Sequence, residues 1–212
     1  FFVPAAFRID TTTTSRLLNS YKFIEFDTQY TKDKQLIVHH GEIVILKGVI
    51  EVIPIPRDIG YAVKDLTYEE LLEKSDYHIP LYTEVVDLVG GVKPFNVEIK
   101  SQLNYEDDRK IADFIVSDLK ERGILGGTMI SSLTSDVLKY IDEEYPEVKT
   151  GKIYYVAPST FLRSDFLTSL LYKELDATGA DYLLMHGANL RNYESLKKLL
   201  PDDKRLMIWY NP

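Results

Sequence analysis

Two carboxylates and two histidines lie close together in the first part of the chain. Glu25 and Asp27 are separated by one residue within a short apolar segment, and His39 and His40 end the next one. Side chains alternate across a strand, so the carboxylates share one side while the two histidines face opposite sides. A carboxylate pair on one strand face is a suitable ligand set for a hard divalent cation. The pattern predicts a cation site with one functional histidine, although carboxylates at this spacing also occur on solvated strand faces.

The composition excludes several classes of function. The 212 residues carry a net charge of -8 and include no cysteine. Nucleic-acid binding needs a basic surface, so an acidic chain without a basic cluster is a poor candidate. The absence of cysteine excludes disulfides, thiolate metal sites and cysteine nucleophiles. With four histidines and 33 acidic residues, oxygen ligands dominate, which favours Mg²⁺ or Ca²⁺ over Zn²⁺.

The sequence predicts no membrane span, because no apolar segment approaches the roughly 20 residues that a bilayer requires. The apolar residues 1–7 have neither the charged start nor the length of a signal peptide. We therefore expect a soluble protein, either cytoplasmic or exported after removal of a leader. The sequence specifies neither the compartment nor the oligomeric state.

Short apolar segments alternate with amphipathic segments along the chain. The apolar segments predict strands at Val3–Ala6, Phe23–Tyr30, Leu36–His40, Phe95–Ile99, Thr128–Ser131, Lys152–Val156, Tyr182–Met185 and Leu206–Tyr210. The amphipathic segments predict helices after a capping box at Thr67–Glu70 and over Ile111–Leu119, Ser135–Glu144, Ser164–Leu175 and Asn192–Leu200. Strands separated by helices form parallel βα units, and this many units are typical of a barrel. No repeat or linker divides the chain, so residues 1–212 are expected to form a single domain.

The order of these segments resembles the glycerophosphodiester phosphodiesterase family. In that family an acidic pair, Glu-x-Asp, is followed by a Thr-x-Asp-Gly turn and by a strand that ends in His-Asp. The matching segments here are Glu25–Asp27, Thr31–Lys34, His40–Gly41, Ile79–Val89, Phe95–Lys100, Thr128–Leu133 and Met207–Asn211. The resemblance implies an α/β fold, namely a TIM-type (β/α)8 barrel. Its last strand–helix unit is expected to be missing from this chain.

The resemblance also implies a divalent cation, Mg²⁺ or Ca²⁺, as the cofactor. It makes Glu98 the third metal ligand beside Glu25 and Asp27, Lys100 a phosphate-facing cation and His40 the catalytic acid/base. A structural ion pair between Glu98 and Lys100 would satisfy both residues without any metal. Three acids against one lysine leave negative charge uncompensated, which favours a cation.

Two further residues are candidates for substrate binding. Arg8 could hold the phosphate as a bidentate donor, and Trp209 could stack on the leaving group. A surface position for Arg8 and a core position for Trp209 are the alternatives. His78 and His186 are expected to be structural, although His186 ends a strand and could reach the site.

The chain departs from the family pattern at two positions. Phe7 stands where the family has the first of its two acid/base histidines, and Gly41 replaces the Asp that follows the second one. The resemblance implies a metal-dependent phosphoric diester hydrolase acting on glycerophosphodiesters or related phospholipid-derived phosphodiesters. The alternative is a catalytically impaired barrel that binds a metal or a phosphodiester, or acts as an interaction module. Residues 41–64, which have no steady period, are either an insertion over the active site or an ordinary surface loop packed by its apolar residues.

Overall fold

A computed structural model of the chain describes residues 18, 20–41, 43–45, 60–75, 77–154, 165–187 and 192–209. The strands in these ranges are β1 (Ile24–Tyr30), β2 (Leu36–Val38), β3 (Ile43–Ile45), β4 (Gly60–Ala62), β5 (Phe95–Ile99), β6 (Thr128–Ser132), β7 (Lys149–Tyr154), β8 (Tyr182–His186) and β9 (Arg205–Trp209). The α-helices in the same ranges are α1 (Tyr68–Lys74), α2 (Tyr82–Val89), α3 (Tyr105–Glu121), α4 (Ser135–Glu144), α5 (Asp165–Ala177) and α6 (Tyr193–Lys198).

The strands form one large sheet and one small sheet. The large sheet has seven strands in the order β2-β1-β5-β6-β7-β8-β9, and β3 pairs with β4 in a separate antiparallel sheet. β1 and β5 to β9 run parallel, whereas β2 folds back on β1 as a hairpin. Each pair of consecutive parallel strands is joined by a helix-containing connection. This arrangement is that of the TIM-type barrel predicted from the sequence.

The two faces of the large sheet are packed differently. One face is covered by helices, and α3 contributes fully buried residues such as Ile111, Ile115 and Leu119. The strand registers place the side chains of Glu25 and Asp27 on the other face, together with a second apolar cluster. That cluster contains Met129, Ile153 and Leu184, with Phe23, Tyr182, Met207 and Trp209 packed against it. Burial on both faces explains why these strands read as continuous apolar segments.

A polar turn joins β1 to β2. The hydroxyl of Thr31 donates to Asp33 Oδ1 at 2.6 Å and accepts from the amide of Gln35 at 3.0 Å. Asp33 Oδ1 also accepts from the amide of Tyr68 at the start of α1, at 3.0 Å. Lys34 has a φ of 62° in this turn, where the resembling family places glycine. The Thr31–Lys34 match therefore corresponds to a tight turn whose last residue adopts a left-handed backbone conformation.

Two of the predicted helices follow the sequence signals closely. The capping box expected at Thr67 is present: Glu70 Oε2 accepts from the Thr67 amide at 2.9 Å, and the Thr67 hydroxyl accepts from the Glu70 amide. α4 has the predicted bounds, Ser135–Glu144. Capping residues accept hydrogen bonds from the amides that the first turn of a helix leaves unpaired. Because both partners lie within a few residues of each other, such helix starts can be predicted from the local sequence.

Two predicted strands begin or end two or more residues away from the predicted position. The strand predicted over Leu36–His40 ends at Val38, because its pairing with β1 stops at the Thr28–Val38 pair. The strand predicted to begin at Lys152 begins at Lys149, because β7 pairs with β6 from the Met129–Lys149 pair onward. In both cases pairing with the neighbouring strand, rather than the local sequence pattern, determines where the strand begins or ends.

Several predictions fall on residues outside the described ranges. These include the strand Val3–Ala6 and the residues Phe7 and Arg8. Of the atypical segment 41–64, the structure describes the β3–β4 sheet and the short 3-10 turn at Val63–Asp65, whereas the apolar residues expected to pack it lie outside the described part. Among the described helices, none has the length and apolar character that crossing a bilayer requires.

Candidate metal centre

Three carboxylates meet on one face of the neighbouring strands β1 and β5. The parallel register pairs Asp27 with Glu98 and Glu25 with Asn96, so all three acids project from the same face of neighbouring strands. One carboxylate oxygen of each of Glu25, Asp27 and Glu98 lies within 4.8 Å of the others. The structure therefore brings together the three residues that the sequence singled out as a ligand set.

The cluster is largely withdrawn from solvent, and this changes its protonation. Burial raises the pKa of Glu98 to about 7, the charge of Asp27 adds to the effect, and Lys100 opposes it. Burial also raises the pKa of Glu25 well above its ordinary value, with further contributions from the charges of Asp27 and Glu98. Carboxylates that repel one another in a buried site gain stability from a proton or from a cation.

Lys100 forms the ion pair that the sequence allowed, and it contacts two of the acids rather than one. Its Nζ lies 2.8 Å from Glu98 Oε1 and 3.2 Å from Asp27 Oδ1. Burial disfavours its charge, but Asp27 and Glu98 outweigh that effect and the pKa of Lys100 is raised. Lys100 is therefore a cation, and the three acids in their charged forms exceed it by two negative charges.

The donor set fits a hard divalent ion. Glu98 Oε1 is buried, and Lys100 Nζ lies 2.8 Å from it. Buried carboxylate oxygens are normally satisfied by directed donors or by a metal. Three carboxylates with no sulfur ligand match Mg²⁺ or Ca²⁺, which take oxygen ligands. Glu25, Asp27 and Glu98 are thus the residues that could hold such an ion.

His40 lies beside this cluster, just after β2. Its Nε2 is 3.9 Å from Asp27 Oδ2, and its side chain is 59% exposed. Burial of part of the ring lowers the pKa of His40, and the positive charge of Lys100 lowers it further, while Glu98 opposes the shift. In contrast, His39 has its Nε2 buried. The two histidines thus differ in their exposure, although both follow the end of β2.

Gln29 is a residue of the site that the sequence reasoning missed. Its Nε2 donates to the carbonyl oxygens of His39 and Gly41, both at 2.8 Å, and so holds the residues on either side of His40. Gln29 follows Asp27 by two positions and is therefore on the face of the acids. This spacing was the available signal. The hydrogen-bond partners were not predictable, because they depend on where the chain turns after β2.

A second polar contact, between β5 and β6, lies close to the three acids. Asn96, which is paired in register with Glu25, donates through Nδ2 to Ser131 Oγ on β6 at 2.8 Å. Both side chains are buried. The contact links β5 to β6 two residues before Glu98. It therefore helps to fix the position of β5, the strand that carries Glu98.

A cavity of about 220 Å³ opens next to the acids. His40, Glu98 and Lys100 line it on the side of the cluster, and Lys64, Gln102 and Leu133 are among the residues lining it elsewhere. It lies where the parallel strands β1 and β5 end, which is where barrel proteins bind their ligands. A small organic group bound here would contact the acidic cluster directly.

Of the two candidates for substrate binding, the structure describes Trp209 but not Arg8. Trp209 is partly buried, packs against the apolar cluster of Met129, Ile153 and Leu184, and meets the ring of His186 edge-on at 4.6 Å between centroids. It is not among the residues lining the cavity beside the acids. This position agrees with the core alternative for Trp209, and stacking on a leaving group stays a prediction. Arg8 lies outside the described residues.

A parallel barrel whose cavity at the carboxyl ends of the strands adjoins a cluster of carboxylates is typical of enzymes that act through a bound divalent cation. Comparison with protein families is consistent with this class. Residues 18–187 match the Glycerophosphoryl diester phosphodiesterase family. The chain belongs to this family and is thereby classed as a phosphodiesterase. Comparison with curated proteins gave no match.

Solved structures share the fold. A glycerophosphodiester phosphodiesterase from Parabacteroides distasonis superposes with a TM-score of 0.68 at 18% identity, covering 98% of this chain and 82% of that one. One from Thermotoga maritima has a TM-score of 0.62 at 22% identity, covering 92% and 76%. A phosphodiesterase from Oleispira antarctica, solved with the product sn-glycerol-3-phosphate, has a TM-score of 0.62 at 15% identity, covering 92% and 77%. At these identities the likeness establishes the fold, which confirms the predicted TIM-type barrel.

Proposed function

We propose that this chain hydrolyses glycerophosphodiesters or related phospholipid-derived phosphodiesters and that the reaction depends on a divalent cation. The observation that carries the proposal is the convergence of Glu25, Asp27 and Glu98 within 4.8 Å on one face of two parallel strands, beside the cavity. Family membership supplies the substrate class, and the product bound to the Oleispira antarctica relative agrees with it.

The acidic cluster would hold Mg²⁺ or Ca²⁺. When bound, such an ion offsets the negative charge that builds on the phosphate oxygens in the transition state. Lys100 supplies a second positive charge beside the same oxygens. Its position next to Asp27 and Glu98 places it at the edge of the cavity, where a phosphate would lie.

His40 is the proposed acid/base. Its partly exposed ring lines the cavity, and its lowered pKa keeps an imidazole nitrogen available as a proton acceptor near neutral pH. It can take the proton from the glycerol hydroxyl that attacks phosphorus and give it to the leaving alkoxide, which forms a cyclic phosphate. It can then take a proton from the water that opens this ring and give it to the glycerol oxygen that is released, which completes the hydrolysis. Gln29 fixes the backbone on both sides of His40, so the ring is held at the mouth of the cavity.

The test is a cation-dependent assay. The purified chain is incubated with glycerophosphocholine or bis(p-nitrophenyl) phosphate in the presence of Mg²⁺, Ca²⁺ or EDTA. We expect hydrolysis with at least one of the two cations and none with EDTA. Hydrolysis that EDTA leaves unchanged would contradict the proposed cation dependence.

A second function is favoured by the phenylalanine at position 7. A phenyl ring can neither accept nor donate a proton, so the chain could bind a cation and a phosphodiester without efficient turnover. Cation binding without hydrolysis, followed by a gain of turnover in Phe7→His, would favour this second function. Brisk hydrolysis by the wild-type chain with no effect of Phe7→His would exclude it.

A further inference from the structure

The ammonium of Lys100 occupies the acidic cluster in the way that a metal ion would. It lies 2.8 Å from Glu98 Oε1 and 3.2 Å from Asp27 Oδ1, and its side chain is only 26% exposed. Both contacts join the ammonium to a carboxylate that is also a candidate metal ligand. Lys100 is therefore held in the cluster by two of the carboxylates that a metal ion would use.

We infer that Lys100 is a built-in counter-cation that an incoming divalent ion displaces from Asp27 and Glu98, which delivers its ammonium to the substrate phosphate. This inference rests on the proposed function, because it takes Glu25, Asp27 and Glu98 as the metal ligands. It adds an exchange of one cation for another, which links metal binding to phosphate binding through a single side chain.

The cluster is too small for both cations to keep these contacts. Mg²⁺ or Ca²⁺ lies about 2.0 to 2.6 Å from its carboxylate ligands. An ion at that distance from Asp27 and Glu98 would be a close neighbour of the ammonium that contacts the same two groups. The two positive charges repel in a partly buried site, where screening by water is weak. The divalent ion is favoured, because it offsets two of the three negative charges of the ionised carboxylates, whereas the ammonium offsets one.

The surroundings of Lys100 allow its side chain to move while its backbone stays fixed. The Lys100 amide donates to the carbonyl of Thr28 at 2.9 Å, and its carbonyl accepts from Gln102 Nε2 at 2.8 Å. The flexible side chain adjoins the cavity of about 220 Å³. A displaced ammonium would therefore enter the space where the phosphodiester is proposed to bind.

A second buried lysine, Lys152, contacts uncharged groups instead of carboxylates. Lys152 Nζ donates to the carbonyl of Leu133 at 2.5 Å and lies 4.6 Å from the ring centroid of Tyr154. These partners carry no net charge that a metal ion could compete for. Lys64 offers a better control, because it lines the same cavity as Lys100 and forms no ion pair with the described residues.

The first experiment uses the wild-type chain. Ca²⁺ binding is measured by isothermal titration calorimetry, and lysine acylation is then followed by mass spectrometry with EDTA and with saturating Ca²⁺. The labelling rate of Lys100 should rise by about twofold or more. Displacement would move its side chain from 26% exposure toward the 57% and 67% of Lys34 and Lys198. The rate at Lys64 should not change.

The second experiment compares Lys100→Met with Lys64→Met. Without a competing ammonium, the Lys100→Met protein should bind Ca²⁺ about tenfold more tightly than wild type, whereas Lys64→Met should bind it about as wild type does. Bound Ca²⁺ with unchanged or reduced labelling of Lys100 would overturn the exchange while leaving the metal site intact. A wild-type chain that binds no Ca²⁺ and no Mg²⁺ would overturn both the exchange and the proposed metal site.

Discussion

At the scale of single residues, the site is dominated by carboxylates that hold protons more tightly than usual. Burial and mutual repulsion raise the pKa of Glu25 and bring that of Glu98 to about 7. A cation must replace the protons that these groups hold below their raised pKa. Protons and metal ions therefore compete for the same oxygens.

The affinity for Mg²⁺ or Ca²⁺ should consequently depend on pH. Below a pH of about 6 the carboxyl of Glu98 is mainly protonated, and above about 8 it is mainly ionised, since its pKa is about 7. We expect tighter cation binding at the higher pH, measured by calorimetry across this window. Equal affinity at both ends would show that Glu98 is not a ligand whose proton is displaced.

The two histidines give a matched comparison. His40 lies 3.9 Å from Asp27 and lines the cavity, whereas His39 has a buried ring nitrogen. In a chain that turns over, His40→Ala should lower kcat by about 10²- to 10⁴-fold, which is the usual contribution of a positioned acid or base. His39→Ala should change kcat little if the protein stays folded. Equal losses from the two substitutions would refute the assignment.

At the scale of elements, the β1–β2 hairpin positions the chemistry. β1 carries two of the acids, the turn after β2 carries His40, and Gln29 joins the two by its pair of hydrogen bonds. Gln29 therefore acts on the reaction through the backbone that holds His40. A defect in this contact should affect the chemical step rather than the affinity for the cation.

Replacement of Gln29 tests this positioning role. Gln29→Leu should lower kcat by about tenfold while leaving Ca²⁺ affinity within about twofold, because misplacing a catalytic group costs rate without removing a ligand. Gln35→Leu is the control, since Gln35 is an exposed glutamine of the same hairpin. Gln29→Asn, which keeps the amide, should recover part of the rate. A loss of Ca²⁺ affinity in step with kcat would indicate a general collapse of the hairpin instead.

The elements also show which features local sequence can predict. Alternation along one strand was sufficient to place Glu25 and Asp27 on one face, and the capping box at Thr67 was legible because its two hydrogen bonds are local. Only the family resemblance indicated that Glu98 joins Asp27, because a parallel register between strands about 70 residues apart leaves no local signal. The end of β2 was misjudged for the same reason, since the partner strand decides where pairing stops.

At the scale of the whole molecule, the sheet face that carries the acids also holds a tightly packed apolar cluster. Gly151 on β7 lies within it, and a Cβ added there would be 2.6 Å from Leu184 Cδ1 and 3.4 Å from Met129 Sδ. Dense packing below the cluster of acids keeps the strands, and hence the ligands, in register.

Gly151→Ala should therefore destabilise the fold. We expect a loss of about 1 to 3 kcal/mol in the free energy of unfolding, the usual effect of overpacking a core. Denaturant unfolding provides the measurement. Gly126→Ala is the control, because a Cβ at Gly126 would meet no atom within 4 Å. Equal stability of the two variants would show that the side chains around Gly151 repack to accept the extra methyl group.

The central claim is that Glu25, Asp27 and Glu98 together hold one divalent cation. Calorimetric titration with Ca²⁺ and Mg²⁺ tests it most directly, on the wild-type chain, on Glu98→Gln and on Glu106→Gln, an exposed glutamate of α3 that pairs with Lys110. We expect one ion per wild-type chain, unchanged binding in Glu106→Gln, and affinity weakened by about tenfold or more in Glu98→Gln, which loses a charged ligand. Equal cation affinity in Glu98→Gln and wild type would contradict the account.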